Sequence, residues 1–126
     1  MAINLGSVQL QIMRVLWSEG EASARRITEV LSESKEVAHS TVQTLLRQLE
    51  AKKAVAHEQR DRTFVFRALV KESEVSRTAA QDLLTRVFQG SISGLVSHLL
   101  ESENISESEM DRLRKLVREK TQEVKK

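Results

Sequence analysis

A predicted helix near the middle of the chain carries hydroxyl and amide side chains on one face. Thr41, Gln43 and Thr44 lie in its first half. A glutamine amide can pair with both N6 and N7 of adenine, and the methyl group of a threonine can contact that of thymine. Because a helix fits the major groove and reads bases with its N-terminal half, we predict base contacts by these three residues.

Simpler interpretations of the same side chains stay open. Ser40 and Gln43 have the spacing of a capping box, in which the glutamine reaches back to the first backbone N–H of the helix. That role would occupy the amide of Gln43, since one amide cannot also contact a base. The alternative for Thr41 and Thr44 is that they are plain solvent-facing residues.

Positive charge is concentrated in and after this helix. Residues 35–70 contain seven lysines and arginines against four acidic residues, whereas residues 71–126 contain ten of each. Basic side chains that neutralise phosphates set the affinity for DNA rather than the choice of sequence. The predicted phosphate contacts are Ser40, Arg47, Lys52, Lys53, Arg60 and Arg62. The alternative for a surface pair such as Lys52 and Lys53 is that it is only solvated.

The apolar residues of this helix recur at helical spacing. Val42, Leu45, Leu46 and Leu49 occupy positions i, i+3, i+4 and i+7, which form one face of an α-helix. The helix therefore has one face for a core and an opposite face for a ligand.

After residue 53 the hydrophobic period changes from helical to alternating. The pattern predicts two strands, over residues 54–58 and 63–69, around a tip at residues 59–62. Phe64 and Phe66 would share one face of this hairpin. The two arginines in the tip would be exposed there.

Two further helices are predicted before the polar-faced one. The first runs from about Ser7 to Ser18 and ends at Gly20, and the second follows a cap at Ser23. The second helix and the polar-faced helix form a helix-turn-helix, to which the hairpin adds a wing. We therefore predict a mainly α fold with a small β-hairpin wing, in which residues 1–70 form a winged-helix DNA-binding domain.

Residues 71–126 are predicted to form three helices with short connections. They carry many large apolar side chains but have little room for an independent core. We interpret this part as a helical dimerisation domain that buries those side chains against a partner chain. The predicted dimer contacts are Leu84, Val87, Phe88, Leu95, Val96, Leu99, Leu113, Leu116 and Val117. The alternative is that these helices pack on the first domain of the same chain.

The composition excludes several classes of function. The absence of cysteine excludes disulfides, thiolate metal sites and cysteine catalysis, and it fits a reducing cytoplasm. The histidines, His39, His57 and His98, form no i, i+4 pair, so we expect no metal, cofactor or catalytic site. No apolar run approaches the roughly 18 residues of a membrane span, and the N-terminus lacks the pattern of a secretion signal. We expect a cytoplasmic protein that is not an enzyme and does not enter a membrane.

Several short motifs follow one another in a distinctive order. They are Leu16-Trp17 at the end of the first helix, Glu36-Val37, Thr41-Val42-x-Thr44-Leu45, Leu49 with Lys52-Lys53, and Leu95-Val96. In their order and spacing the chain resembles the penicillinase and methicillin-resistance repressors, also called the BlaI/MecI/CopY family, over essentially its whole length. The resemblance implies a homodimer that binds a pseudo-palindromic operator in double-stranded DNA and represses transcription, for instance of β-lactam resistance or stress genes.

Three differences limit what this resemblance implies. Family members inactivated by a membrane sensor protease are cut at an Asn-Phe bond, and the matching pair here is His98-Leu99. The change of both residue types argues against proteolysis at this bond, and a sensor protease stays a partner to be tested. The cysteine pairs of the copper-responsive branch are absent, which excludes that metal chemistry. Ala54 follows the lysine pair where many relatives have glycine, so a left-handed helix end there would cost about 1 kcal/mol.

A winged helix that docks a protein partner instead of DNA is the main alternative function, since many such domains bind no DNA. Arg47 and the two arginines at the hairpin tip favour DNA, because the predicted contact face carries almost no negative charge to oppose them.

Overall fold

Six helices and a three-stranded sheet make up the computed structural model of this protein, which describes residues 5–125. In chain order the elements are α1 (Ser7–Glu19), β1 (Ala22–Ser23), α2 (Ala24–Ser32), α3 (His39–Ala51), β2 (Val55–Arg60), β3 (Thr63–Ala68), α4 (Glu72–Arg86), α5 (Ile92–Ser102) and α6 (Glu107–Lys125). The predicted fold class, a mainly α protein with a small β-hairpin wing, is confirmed.

The ends of the first two helices are set by local sequence. Gly20 ends α1 with φ of 86°, and its N–H donates to the carbonyl oxygen of Leu16 over 2.8 Å. Only glycine adopts this backbone conformation without a steric cost. Ser23 caps α2, because its hydroxyl oxygen accepts a hydrogen bond of 3.1 Å from the N–H of Arg26. Both ends agree with the predictions from sequence.

The start of α3 differs from the predicted capping box. The helix begins at His39 with Ala38 as its N-cap, so Ser40 lies inside the first turn and does not cap the helix. At this earlier start a contact joins two helices, since Nδ1 of His39 lies 3.1 Å from the hydroxyl oxygen of Thr28 in α2. The capping role predicted for Gln43 was therefore wrong, and its amide is not used at the helix start.

A single apolar core lies between the first three helices and the sheet. The largest fully buried side chains are Ile12, Met13, Leu16, Ile27, Val42, Leu46, Leu49 and Val55. The indole N–H of Trp17 donates to the carbonyl oxygen of Val70 over 2.9 Å, which fixes the chain leaving the hairpin against α1. The core thus holds α3 by one face only.

The sheet has the order β1-β3-β2, with antiparallel pairs throughout. Strand β1 was not predicted, because two residues are too short to show an alternating pattern. Its pairing of Ala22 with Phe66 attaches the wing to the segment between α1 and α2. The hairpin turn is shorter than predicted, since Arg60 pairs with Thr63 and only two residues connect the strands.

The end of α3 is a Schellman motif centred on Lys53. The N–H of Ala54 donates to the carbonyl oxygen of Leu49 over 2.9 Å, and the N–H of Lys53 donates to that of Glu50 over 3.0 Å. Lys53 has φ of 66° and is the left-handed residue, whereas Ala54 is fully buried in the core. The left-handed backbone conformation expected at Ala54 is therefore adopted by Lys53 instead.

The chain divides into two compact units within α4, a first that ends at Asp82 and a second that begins at Leu83. In the second unit, hydroxyl caps start the helices. Ser91 accepts a hydrogen bond of 2.9 Å from the N–H of Gly94, and Ser106 accepts one of 3.1 Å from the N–H of Glu109. No residue of this unit up to position 125 is buried.

None of the helices between residues 5 and 125 is both long and apolar enough to cross a membrane.

Replacing Lys53 by glycine should stabilise the first unit. A left-handed backbone costs a residue with a Cβ atom about 1 kcal/mol, so Lys53→Gly should raise the free energy of unfolding by about that amount. Urea unfolding followed by the fluorescence of Trp17, the only tryptophan, measures this change. Lys53→Ala is the control, because it keeps the Cβ atom. An equal gain in both variants would show that the lost charge, not the backbone, was the cause.

Candidate nucleic-acid interface

The face of α3 opposite the core presents the three predicted base-contact residues. Thr41, Gln43 and Thr44 are exposed, whereas Val42 and Leu46 on the other face are buried. Gln43 and Thr41 form no side-chain hydrogen bond within residues 5–125. Their polar groups are therefore available to a ligand that reaches this face.

Arg47 lies one turn further along the same exposed face. Its Nη2 donates a hydrogen bond of 3.3 Å to the hydroxyl oxygen of Thr44, and both side chains are exposed. This weak contact orients the guanidinium toward the first half of the helix while leaving most of its N–H donors open.

An open cleft of about 730 Å³ lies between α3, the start of α2 and the wing. Gln43, Arg47 and Arg62 line it, as do two residues outside the predicted set, Arg25 and Phe64. The aromatic rings and Leu46 give the cleft an apolar floor, and the arginines give it a basic rim. The basic rim fits a negatively charged phosphate backbone.

Sequence reasoning did not include Arg25 and Phe64 among the site residues. Arg25 lies in the first turn of α2, where a cation opposes the helix dipole, and this unfavourable placement was the available signal. Phe64 was expected to share the face of the buried Phe66, yet 52% of its surface is exposed. An exposed aromatic ring beside three arginines is a functional feature that hydrophobic periodicity cannot distinguish from a core residue.

The tip of the wing holds Arg62 in a strained conformation. Asp61 and Arg62 have φ of 49° and 70° and form the two-residue turn, a geometry that favours glycine at both positions. Arg62 is exposed and forms no ion pair within residues 5–125. Residues kept in a costly conformation concentrate at functional sites, which points to a role for this side chain.

Arg60 has a different environment from its neighbour at the tip. Its guanidinium forms ion pairs with the carboxylates of Glu21 and Glu58, at 2.6 Å in the case of Glu21. The hydrogen bond from Arg60 lowers the pKa of Glu21, so that this carboxyl stays ionised. The structure therefore places Arg60 in a cluster of ion pairs rather than at the open tip.

The lysine pair after α3 also separates into two environments. Nζ of Lys52 donates to the amide oxygen of Gln9 over 3.2 Å, and the amide nitrogen of Gln9 donates to Gln48 over 3.0 Å. Because Gln9 is buried at the start of α1, this network joins α1 to the end of α3. Lys53 is exposed, and Ser40 is exposed in the first turn of α3.

His57 and Glu50 join the wing to α3. Nδ1 of His57 lies 2.7 and 2.8 Å from the two carboxylate oxygens of Glu50, and the imidazole centroid is 4.6 Å from that of Phe64 and 5.3 Å from that of Phe66. This contact sets the separation between the helix and the hairpin, which form two walls of the cleft. Within residues 5–125 no group of three or more histidine, aspartate or glutamate side chains is placed to hold a metal ion.

None of the nine residues predicted to form the dimer contacts is buried within a single protomer. Val87, Val96, Leu99, Leu116 and Val117 are between 43% and 65% exposed, and the other four are half-buried. The pair His98-Leu99 lies inside α5 and is exposed, with the ring of His98 centred 6.0 Å from that of Phe88.

Comparison with known proteins places this architecture in a family. The family model described as Penicillinase repressor matches residues 5–119. The chain is 26% identical over 116 residues to the methicillin resistance regulatory protein MecI of Staphylococcus aureus, covering 92% of this chain and 94% of that protein. It is 25% identical over 115 residues to the penicillinase repressor of Bacillus licheniformis, covering 91% of this chain and 90% of that one.

Solved structures show the same fold. The DNA binding domain of the repressor BlaI aligns with a TM-score of 0.52 and 26% identity, covering 59% of this chain and 93% of that domain. The oxidized form of MarR from E. coli aligns with a TM-score of 0.55 over 92% of this chain and 75% of its own, and at 16% identity this likeness concerns the fold alone. The family match spans both units, and the chain belongs to the penicillinase repressor family.

Proposed function

We propose that this protein represses transcription by binding, as a homodimer, to a two-fold symmetric operator in double-stranded DNA. A DNA-binding transcriptional repressor is the function that its family indicates. The observation that carries the residue-level proposal is the exposed polar face of α3, which lies beside a basic cleft and a strained arginine. Repression follows because the bound dimer occupies promoter DNA that the polymerase needs, and no catalysis is required.

In this proposal the first half of α3 enters the major groove. Gln43 pairs with an adenine, while Thr41 and Thr44 contact neighbouring bases, including the methyl group of thymine. The support is that Gln43 is exposed and has no capping role, so its amide is available. An operator half-site that contains A·T pairs follows from these contacts.

Phosphate contacts surround this helix. We assign them to Ser40 in the first turn, to Arg47 and Lys53 along and after the helix, and to Arg62 at the wing. Lys52 would add a contact only by leaving the amide of Gln9, to which its Nζ donates. These contacts fix the register of the protein on DNA but carry no sequence information.

The second unit supplies the dimer. Its apolar side chains are exposed in a single protomer, and no residue of this unit up to position 125 is buried. Burial against a second copy removes this apolar surface from water, which is favourable by roughly 25 cal/mol per Å². A two-fold dimer then predicts two half-sites separated by about one helical turn or a multiple of it.

The names of the relatives indicate the first genes to test. Since they include a methicillin resistance regulator and a penicillinase repressor, a promoter of a β-lactam resistance gene is the leading candidate target. The protein acts in the cytoplasm, where such promoters lie. The alternative of a protein-docking winged helix is not favoured, because it leaves the basic cleft and the family unexplained.

Release by a sensor protease at His98-Leu99 has little support. The pair lies in the middle of α5, and a protease needs an extended segment, so cutting there would require local unwinding of the helix. We therefore propose that the signal acts on this repressor by another route.

Gln43→Ala tests base recognition. It should weaken binding to an operator selected from random DNA by roughly 1 to 3 kcal/mol and relax the preference for A·T at one position of each half-site. The dependence of affinity on salt should not change, because no phosphate contact is lost. Gln11→Ala, which removes an exposed glutamine of α1, is the matched control. Unchanged base preference in Gln43→Ala would contradict the assignment.

Arg62→Gly tests the wing by opposite effects on folding and binding. Glycine relieves the left-handed backbone, so the free energy of unfolding should rise by about 1 kcal/mol. Operator binding should nevertheless weaken, and the slope of log K against log salt should become less steep by roughly 2 per dimer, since each subunit loses one phosphate contact. Arg62→Ala should show the loss of binding without the gain in stability. Full operator affinity in both variants would exclude a contact by Arg62.

A further inference from the structure

The wing sheet has two faces, and Arg60 lies on the face away from α3. Side chains alternate along a strand, and paired residues in neighbouring strands point to the same side. His57, which contacts Glu50 of α3, pairs with Phe66 on the inner face. Arg60 is three residues beyond His57, so it shares the outer face with Glu58 and Val65.

On this outer face the Arg60 side chain joins the two edges of the sheet. Its Nη1 donates to Oε1 of Glu21 over 2.6 Å, and its Nη2 donates to Glu58. Glu21 directly precedes β1, which pairs with β3 on the side opposite β2. The guanidinium therefore reaches from the end of β2 across β3 to the start of β1.

Two carboxylates, those of Glu21 and Glu58, contact the one guanidinium of Arg60. Besides the hydrogen bond from Arg60, which is the largest influence, the charges of Arg60 and Arg67 lower the pKa of Glu21. The Glu21 carboxyl thus stays ionised while it holds Arg60. A DNA phosphate approaching the guanidinium would meet both carboxylates, whereas Arg62 has no acidic partner within residues 5–125.

The outer end of the wing, residues 57–64, is exposed and is not held by the core. A two-stranded hairpin is at best marginally stable by itself, and β1 contributes only the residues Ala22 and Ser23 to the third strand. The ion pair with Glu21 adds a connection to Arg60, which pairs with Thr63 beyond the residues of β3 that β1 reaches.

We infer that Arg60 is a positioning residue, anchored by Glu21, which holds the wing so that Arg62 meets the DNA backbone, and that it does not itself bind phosphate. This inference rests on the proposed DNA binding by the wing. Arg60, which the sequence predicted to contact phosphate, would then have a structural role within the interface.

Glu21→Gln separates this inference from direct phosphate contact by Arg60. If Arg60 positions the wing, both Glu21→Gln and Arg60→Ala weaken operator binding, by roughly two- to tenfold, with an unchanged slope of log K against log salt. The double variant that combines Glu21→Gln with Arg60→Ala should bind the operator no more weakly than the weaker-binding single variant. The reason is that both substitutions remove the same ion pair. If Arg60 binds phosphate, Glu21→Gln should bind equally or more tightly, and Arg60→Ala should make the slope less steep by roughly 2 per dimer. Either of those results overturns the inference.

Amide hydrogen exchange of the protein without DNA tests the positioning role of Arg60 separately from operator binding. Amides of residues 59–64 should exchange faster in Glu21→Gln and in Arg60→Ala than in the parent protein, whereas Arg62→Ala should leave them unchanged. Unaltered exchange in the first two variants would overturn the positioning role, even with full operator binding. Failure of the parent protein to bind any DNA would instead refute the proposed function.

Discussion

The packing of one face of α3 into the core decides which side chains can meet DNA. Val42, Leu46 and Leu49 are buried in the core. Because the core is closely packed, their burial fixes the orientation of the helix about its own axis. The opposite face must then carry Gln43 and Arg47 outward. The contact between His57 and Glu50 extends this constraint to the wing, because it fixes the hairpin beside the helix. The geometry of the whole interface thus follows from one buried apolar face.

Local patterns in the sequence predicted the elements of this fold, since each pattern reflects a neighbouring set of residues. Helical spacing located α1 and α3, Gly20 and Ser23 marked helix ends, and alternation located the hairpin. The errors came from contacts between distant residues. The first residue of α3, His39, contacts a residue in α2, and β1 exists only because it pairs with β3.

The candidate site was less predictable than the fold, because a charge in the sequence does not reveal its partner in space. Arg60 and Arg62 look alike as two arginines at a hairpin tip, yet Arg60 pairs with Glu21, which lies 39 positions earlier, and Arg62 has no ion-pair partner within residues 5–125. Lys52 and Lys53 separate in the same way through the contact with Gln9. The backbone strain at Arg62 and Lys53 was equally invisible, since it depends on turns that close in three dimensions.

The central claim is that two copies of this protein hold two wings and two α3 helices on one symmetric operator, largely through phosphate contacts. Binding of the full protein to a selected operator, measured over a range of salt concentrations, tests it most directly. With about six phosphates neutralised by a dimer, three for each subunit by Arg47, Lys53 and Arg62, log K should fall with log salt at a slope of roughly −5, and an isolated half-site should give about half that slope with much weaker binding. A slope near zero, or equal slopes on the half-site and the full operator, would contradict the claim.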